Sequence, residues 1–243
     1  MGDAAVRMVL AADGEVDFMI HYLYKLKVLG QEVYITTTHI SMIIVMAMIM
    51  VLALVIRHKI RRPKEVPSGL QNIAELIVEM LDKMVQGIMG KKARKFANYI
   101  ITIFIFIFLS NISGLMGLRP PTADYGVTLA LGLITFVLIQ YNNVKYNKFG
   151  AVTDLFKPIP LLFPINLIGE FATPLSLSLR LFGNILSGTV IMALIYGLMP
   201  LLFKLGLPPF LHIYFDLFSG AIQTYVFCML TMVFITQKMP EDN

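Results

Sequence analysis

Residues 158–203 read PIPLLFPINLIGEFATPLSLSLRLFGNILSGTVIMALIYGLMPLLF, a run whose only formal charges are Glu170 and Arg180. A helix of 35 to 45 residues measures roughly 50 to 65 Å at 1.5 Å per residue. A bilayer core is only about 30 Å thick, so a helix drawn through this run has to tilt steeply or lie partly in the membrane plane. A second such run, residues 206–237, carries only Asp216, with His212 nearby. Lys204, Gly206, Pro208 and Pro209 mark a turn between them. The two runs predict a hairpin of long, steeply tilted membrane helices.

Working outward, the rest of the chain supports an all-α integral membrane protein with about five membrane helices and one surface helix. Of its 243 residues, 57% are hydrophobic and 14% charged, and the mean hydropathy is +0.76. Soluble domains carry about 25% charged residues. Further spans are expected over about 33–56, 96–118 and 125–144, beside 159–203 and 206–237, within one membrane domain, 33–243. Basic residues cluster between them at Arg57–Lys64, Lys91–Lys95 and Lys145–Lys157, whereas the segments 1–32 and 119–124 are poorer in them. Basic loops stay in the cytoplasm. That places the amino-terminal segment 1–32 outside, the carboxyl terminus in the cytoplasm and the protein in the cell inner membrane. Once the basic residues are placed this way, the +5 net charge gives no sign of nucleic-acid binding. Cys228 is the single cysteine, so no internal disulfide exists.

Residues 67–90 differ from the spans. Leu70, Ile73, Ile77, Met80, Leu81, Met84 and Ile88 recur at helical spacing, with Gln71, Glu75, Glu79, Asp82 and Lys83 on the other face. So many polar side chains preclude spanning, so an amphipathic helix at the cytoplasmic surface is expected. Ser68 and Gln71 have the form of a capping box at its start.

An arginine at the centre of an apolar helix costs about 2.5 to 3.5 kcal/mol on insertion scales and cannot shed its proton to escape that cost. Thr173, Ser176, Arg180, Asn184 and Ser187 step by three or four, making one polar stripe around it. Such a stripe lines a hydrated crevice or faces another protein. Intramembrane charges of this kind mark functional sites, the alternative being a buried structural ion pair. Glu170 lies about 15 Å from Arg180 along one helix, too far to pair with it, and reads equally as a relay acid or an interfacial carboxylate. Asp216, with Gly220 and Gln223 on its helical face, is a relay candidate, since desolvation raises a carboxyl pKa toward useful values. His212, beside the proline-rich turn, reads as interfacial or as a titrating relay group. No phosphate-cradling loop, metal-ligand spacing or nucleophile elbow occurs. The chain therefore has no cofactor, metal or nucleotide site and no catalytic centre of its own; its one clear non-protein partner is membrane lipid.

The run PLSLSLRLFGN (174–184) closely resembles the signature of the F-type ATP synthase a subunit family. VPSGLQN (66–72) followed by Glu75, FLSNISGL (108–115), Pro121-Thr122 with Asp124, and Gln223 seven residues after Asp216 resemble other segments of that family. The resemblance implies a stator channel protein that cups a ring of c subunits, joins the subunit b stalk and the rest of the complex, and offers two half-channels to the ring carboxylates. It makes Arg180 the essential ion-translocation arginine and Asn184 and Gln223 its polar neighbours, with Glu170 an acid of the pathway. Two positions depart from the pattern: Thr189 stands where many members have Glu or His, and Asp216 where others have His or Glu. The relay partners are thus redistributed between the two helices. The coupling ion, H⁺ or Na⁺, is left open. A secondary transporter would show repeated halves with short interrupted helices, which this chain lacks. A purely structural scaffold would not need the polar stripe.

Overall fold

The computed structural model describes residues 22–28, 31–59, 69–148, 150–153, 156, 159–198 and 207–240. Five helices are long and apolar enough to cross a membrane: Thr37–His58, Arg94–Met116, Tyr125–Asn147, Pro160–Gly197 and Phe210–Gln237. This is the expected all-α membrane class, with one local exception. The strands β1 (Tyr22–Val28) and β2 (Gln31–Thr36) pair as an antiparallel ribbon before the first span. Val33–Thr36, expected at the start of that span, are extended instead, and the helix α1 runs Thr37–Lys59. Hydropathy alone cannot separate a β-branched strand from the helix that follows it.

The amphipathic segment forms α2 (Leu70–Met89). Its apolar stripe is divided: Ala74, Leu81, Val85 and Met89 are buried, while Ile73, Ile77 and Met80 stay exposed. On the polar face Lys83 bonds Glu79 at 2.7 Å and holds that carboxyl below its ordinary value. The cap position is Gly69 at φ 60° with no side-chain bond, and the Gln71 amide donates to Glu75. Ser68 lies outside the described residues.

Next come α3 (Ala93–Ile112) and α4 (Tyr125–Asn147). Gly117, at φ 73°, ends the turn after α3 in the left-handed region that glycine tolerates best. Asp124 then caps α4, its carboxylate accepting from Gly126 N at 2.9 Å.

Helix α5 (Phe163–Leu198) has 36 residues, about 54 Å of rise. It runs antiparallel to α4, as successive contacts show: Gln140 with Glu170, Phe136 with Phe171, Tyr125 with Phe182. The crossing is close because Gly132 has no side chain. A Cβ there would lie 2.7 Å from the Pro174 carbonyl oxygen. Beyond Phe182 α5 continues past the end of α4.

The expected last span, 206–237, is not one regular helix. It comprises α6 (Leu207–His212), a π-helical stretch over Ile213–Ser219 and α7 (Gly220–Gln237). The expected turn residues Lys204 and Gly206 lie outside the described residues. Contacts between Tyr196 and His212, Asn184 and Ser219, and Glu170 and Lys238 make α5 and α6–α7 an antiparallel hairpin. The core joins Val85, Ile100, Ile107, Leu181, Phe227 and Met232 from α2, α3, α5 and α7. The described ends of α3 and α4 that carry basic residues meet at one end of the bundle, where Lys95 reaches Tyr146; most of the cluster after α1 lies outside the described residues. The opposite end holds the loop 113–124 and the start of α1.

Candidate functional site

Three polar groups are strung along the α5/α7 hairpin. The first is centred on Arg180. Leu177, Leu181 and Ile185 bury one face of α5, while Leu175, Leu179 and Leu186 are exposed. By helical spacing the stripe Thr173, Ser176, Arg180, Asn184 and Ser187 runs between those two faces. Arg180 is exposed, and among the described residues it makes no hydrogen bond or ion pair. The hydroxyls of Thr173, Ser187 and Thr189 donate to carbonyls of their own helix, those of Gly169, Asn184 and Ile185. Their spent donors leave only lone pairs to present outward.

One turn from Arg180, the Asn184 side-chain oxygen accepts from Ser219 at 2.7 Å. The Asn184 Nδ2 donor has no acceptor. Gln223, a turn beyond Ser219, is only 8% exposed, and its Nε2 is likewise unpartnered. Buried donors without acceptors cost about 1 to 3 kcal/mol each. An unpaired, exposed guanidinium thus lies one turn from Asn184, whose buried amide donor, like that of Gln223 on α7, has no acceptor.

The second group lies toward the loop end. Asp216 Oδ2 is 3.0 Å from His212 Nδ1, and His212 Nε2 is 3.4 Å from the Tyr196 hydroxyl. A Cβ added to Gly114 would lie 3.3 Å from the Asp216 carboxyl carbon, so that glycine makes the room. Asp216 sits within the π-helical stretch, a wider turn that recurs at functional sites. A wholly buried network steadies the next turn. The Asn111 amide donates to the Gly220 carbonyl at 3.1 Å and to Thr224 Oγ1 at 3.4 Å, and Asn111 Oδ1 accepts from Thr122 at 2.9 Å.

The third group lies toward the basic end. Lys238, just past α7, bonds Glu170 Oε1 at 2.7 Å, and Gln140 on α4 donates to Oε2. Both carboxylate oxygens are therefore occupied.

Arg180 stands ten residues from Glu170. Gly188, which packs on Phe215 next to Asp216, lies eight residues to the other side. The two acids therefore flank the arginine at about 15 Å and about 12 Å along the axis, in opposite directions. Neither touches it. Sequence spacing places Arg180, Ser176, Asn184 and Ser187 on one flank, and the fold brings Ser219, one turn before Gln223, against Asn184. Thr189 is exposed beyond the stripe. His212 is a partner of Asp216 rather than a lone interfacial group. Lys238, Gln140, Ser219, Tyr196 and Asn111 are not marked by spacing within any one helix. The available signal for Lys238 was complementary charge at matching ends of an antiparallel hairpin.

The family model described as "ATP synthase A chain" matches residues 39–236. The chain is 41% identical over 189 residues to the "ATP synthase subunit a, sodium ion specific" of Propionigenium modestum, an alignment covering 70% of this chain and 63% of that protein. It is 37% identical over 192 residues to the "ATP synthase subunit a" of Priestia megaterium, covering 73% and 81%. With the protein of that name from Mycoplasmoides gallisepticum it shares 32% over 235 residues, covering 84% and 79%.

Proposed function

The chain belongs to the ATP synthase A chain family, and from that premise we propose that it is the stator ion channel of the membrane sector, with Arg180 dividing two half-channels. The observation that carries this reading is an unpaired, exposed Arg180 between two separate acid groups at opposite ends of one hairpin. A fixed cation that finds no anion among the described residues is placed to meet one on another chain. The partner of matching chemistry is a ring of c subunits bearing one membrane carboxylate each, which would run along the exposed flank of α5.

Coulomb attraction strengthens as the effective dielectric falls. As a ring carboxylate reaches Arg180, the guanidinium favours its ionised form and displaces the bound proton or sodium ion. Asn184 and Gln223 keep unsatisfied amide donors in the helix interface beside the stripe, and Ser176 and Ser187 keep the flank polar. Asp216, with His212 and Tyr196, lines the half-channel at the loop end; Glu170 lines the one at the basic end. Thr189, at the margin of the stripe, can orient a water but is not an acid or base that could relay a proton. Bearing no free acceptor, Arg180 cannot hand a cation along, so ions cross only by travelling with the ring. Moving one charge across 100 mV supplies about 2.3 kcal/mol, the work that turns the ring and drives ATP synthesis elsewhere in the complex.

The shared end of the basic clusters supports a topology with the amino terminus outside and the carboxyl terminus in the cytoplasm of a cell inner membrane. The subunit b stalk would hold the chain against rotation. Cysteines at Lys92 and Asp124, in a chain with Cys228 replaced, test the topology. An impermeant thiol reagent applied outside labels the second and not the first; the reverse pattern inverts the assignment.

The mechanism itself is tested by Arg180→Ala in the assembled complex. Ion-driven ATP synthesis disappears, the complex still assembles, and a passive leak appears because loaded ring carboxylates pass between the half-channels. Arg180→Lys, which keeps a charge but loses the planar fork, is severely impaired. Near-normal synthesis in assembled Arg180→Ala would defeat the reading. Repeating the leak measurement with and without Na⁺ at fixed pH identifies the ion carried.

A further inference from the structure

We propose that Lys238 gates the half-channel at the basic end by occupying, on Glu170, the place of the transported cation. The proposal rests on the half-channel reading above and assigns a positioning role to a residue outside it.

The geometry is that of an anion with both oxygens taken. Lys238 Nζ lies 2.7 Å from Glu170 Oε1, with the two side chains 28% and 25% exposed. Gln140 donates its amide to Oε2. Lys238 is the charged group in contact with Glu170, and α4 offers the neutral Gln140. Beside them Phe136 packs on Phe171 with ring centroids 5.8 Å apart, so one side of the pair is apolar.

A cation leaving the flank of Arg180 toward the basic end reaches a carboxylate that already holds a lysine ammonium. A second monovalent cation brought to Oε1 is repelled by the ammonium already bound there. For the ion to dwell at Glu170, Lys238 has to swing out; when the ion leaves for water, Lys238 returns. The long, flexible stem of lysine suits that exchange, and its ammonium is a compact point charge like the ion it replaces. Partial exposure lets the displaced ammonium be hydrated. The carboxylate is thus never left bare on the apolar side, and the exit is matched to a single positive charge. The same contact ties the end of α7 to the start of α5, so the gate reports directly on the hairpin that carries Arg180.

The test uses the assembled complex in membrane vesicles stripped of the soluble sector. Passive cation flux is measured from the basic-end side as a function of cation concentration, with pH varied in one arm and Na⁺ at fixed pH in the other. Lys238→Gln removes the competitor. The concentration giving half-maximal flux falls about fivefold, the factor expected from a partly buried ion pair, while maximal flux is unchanged. Lys238→Met does the same, and Lys238→Arg, which keeps the charge, stays close to the parent. In a Glu170→Gln background, Lys238→Gln has no further effect, because the competition has lost its site.

The gate is refuted if Lys238→Gln leaves half-saturation unmoved, or if its effect persists undiminished in the Glu170→Gln background. Failure of both the Gln and Met variants to assemble also refutes it, making the pair a structural tie. Arg180→Ala, measured alongside, keeps the two readings distinct. If it abolishes synthesis while Lys238→Gln does nothing, only the gate is lost.

Discussion

Asn111→Ala should be the most damaging single change outside the three polar groups of the hairpin. Asn111 is fully buried at the end of α3 and serves two elements at once. Its amide donates to the Gly220 carbonyl at 3.1 Å and to Thr224 at 3.4 Å, and its oxygen accepts from Thr122 at 2.9 Å. Side-chain hydrogen bonds between membrane helices average about 0.6 kcal/mol and reach about 1.7. The 3.4 Å contact belongs at the bottom of that range. Thr224 keeps its own 2.7 Å bond to the Gly220 carbonyl, so that acceptor is not orphaned. Thr122 is orphaned, since its hydroxyl is fully buried and Asn111 is its acceptor. Stranding such a group costs about 1 to 3 kcal/mol, so the total is about 2 kcal/mol. Thermal dissociation of the detergent-solubilised complex, followed by retention of this chain, reads the loss. Thr122→Val strands the Asn111 oxygen in turn but leaves the bonds from the Asn111 amide to α7 in place, so it should cost somewhat less than Asn111→Ala, and Thr224→Val, which strands nothing, least of the three. Asp216 sits four residues before Gly220, so Asn111→Ala should also slow ion flow through the loop-end half-channel. Equal losses across the three variants, or less than about 0.5 kcal/mol for Asn111→Ala, would refute this account of the network.

Gly132→Ala should force α4 and α5 apart, because the new Cβ would meet the Pro174 carbonyl oxygen at 2.7 Å. Overpacking of this kind costs about 1 to 3 kcal/mol, and crosslinking between cysteines at Gln140 and Glu170 should fall with it; unchanged stability and crosslinking would mean that the crossing relaxes freely. Asp216→Asn should slow ion flow and flatten its pH dependence, since an amide cannot exchange a proton, while Asp216→Glu retains part of the rate. An unaltered pH–rate profile in Asp216→Asn would return Asp216 to the role of a hydrogen-bond partner for His212.

The spans were legible because lipid leaves so few options: an uncharged run of sufficient length between basic clusters has to be a helix. The stripe around Arg180 was legible for a similar reason, since an unpaired cation and four polar residues at helical spacing cannot share a face with lipid. What could not be read depends on tertiary fit. Ile213–Ser219 contains neither glycine nor proline, so nothing in it announces a π-helical turn. The pairing of Glu170 with Lys238 depends on the register of the hairpin, set by a turn whose geometry the sequence does not specify. Hydropathy extended the first span back to Val33, because Val33, Tyr34 and Ile35 suit a strand and a membrane helix equally. The apolar stripe of α2 was plain, but its division into a buried edge at Leu81 and Val85 and an exposed edge at Ile73 and Ile77 followed only from the packing of α3 and α7.

The separation of the two acids bears on the mechanism more than either acid does alone. From Glu170 to Gly188, the level of Asp216, α5 rises by about 27 Å, close to the thickness of a hydrocarbon core of about 30 Å. A continuous channel would need titratable or hydrated groups along that whole length. Instead, the middle is held by a guanidinium that keeps its proton, flanked by leucines and by hydroxyls whose donors are turned back into the helix. A cation moving from one acid toward the other along this chain meets rising repulsion in a poorly solvated place, where Coulomb energies are least attenuated. If the two acids line half-channels as proposed, the chain supplies two ends of a path and obstructs its middle. A carrier that binds the ion as a neutral pair and travels outside the chain would then join the ends. The exposed flank of α5 at Arg180 is where that carrier would give the ion up.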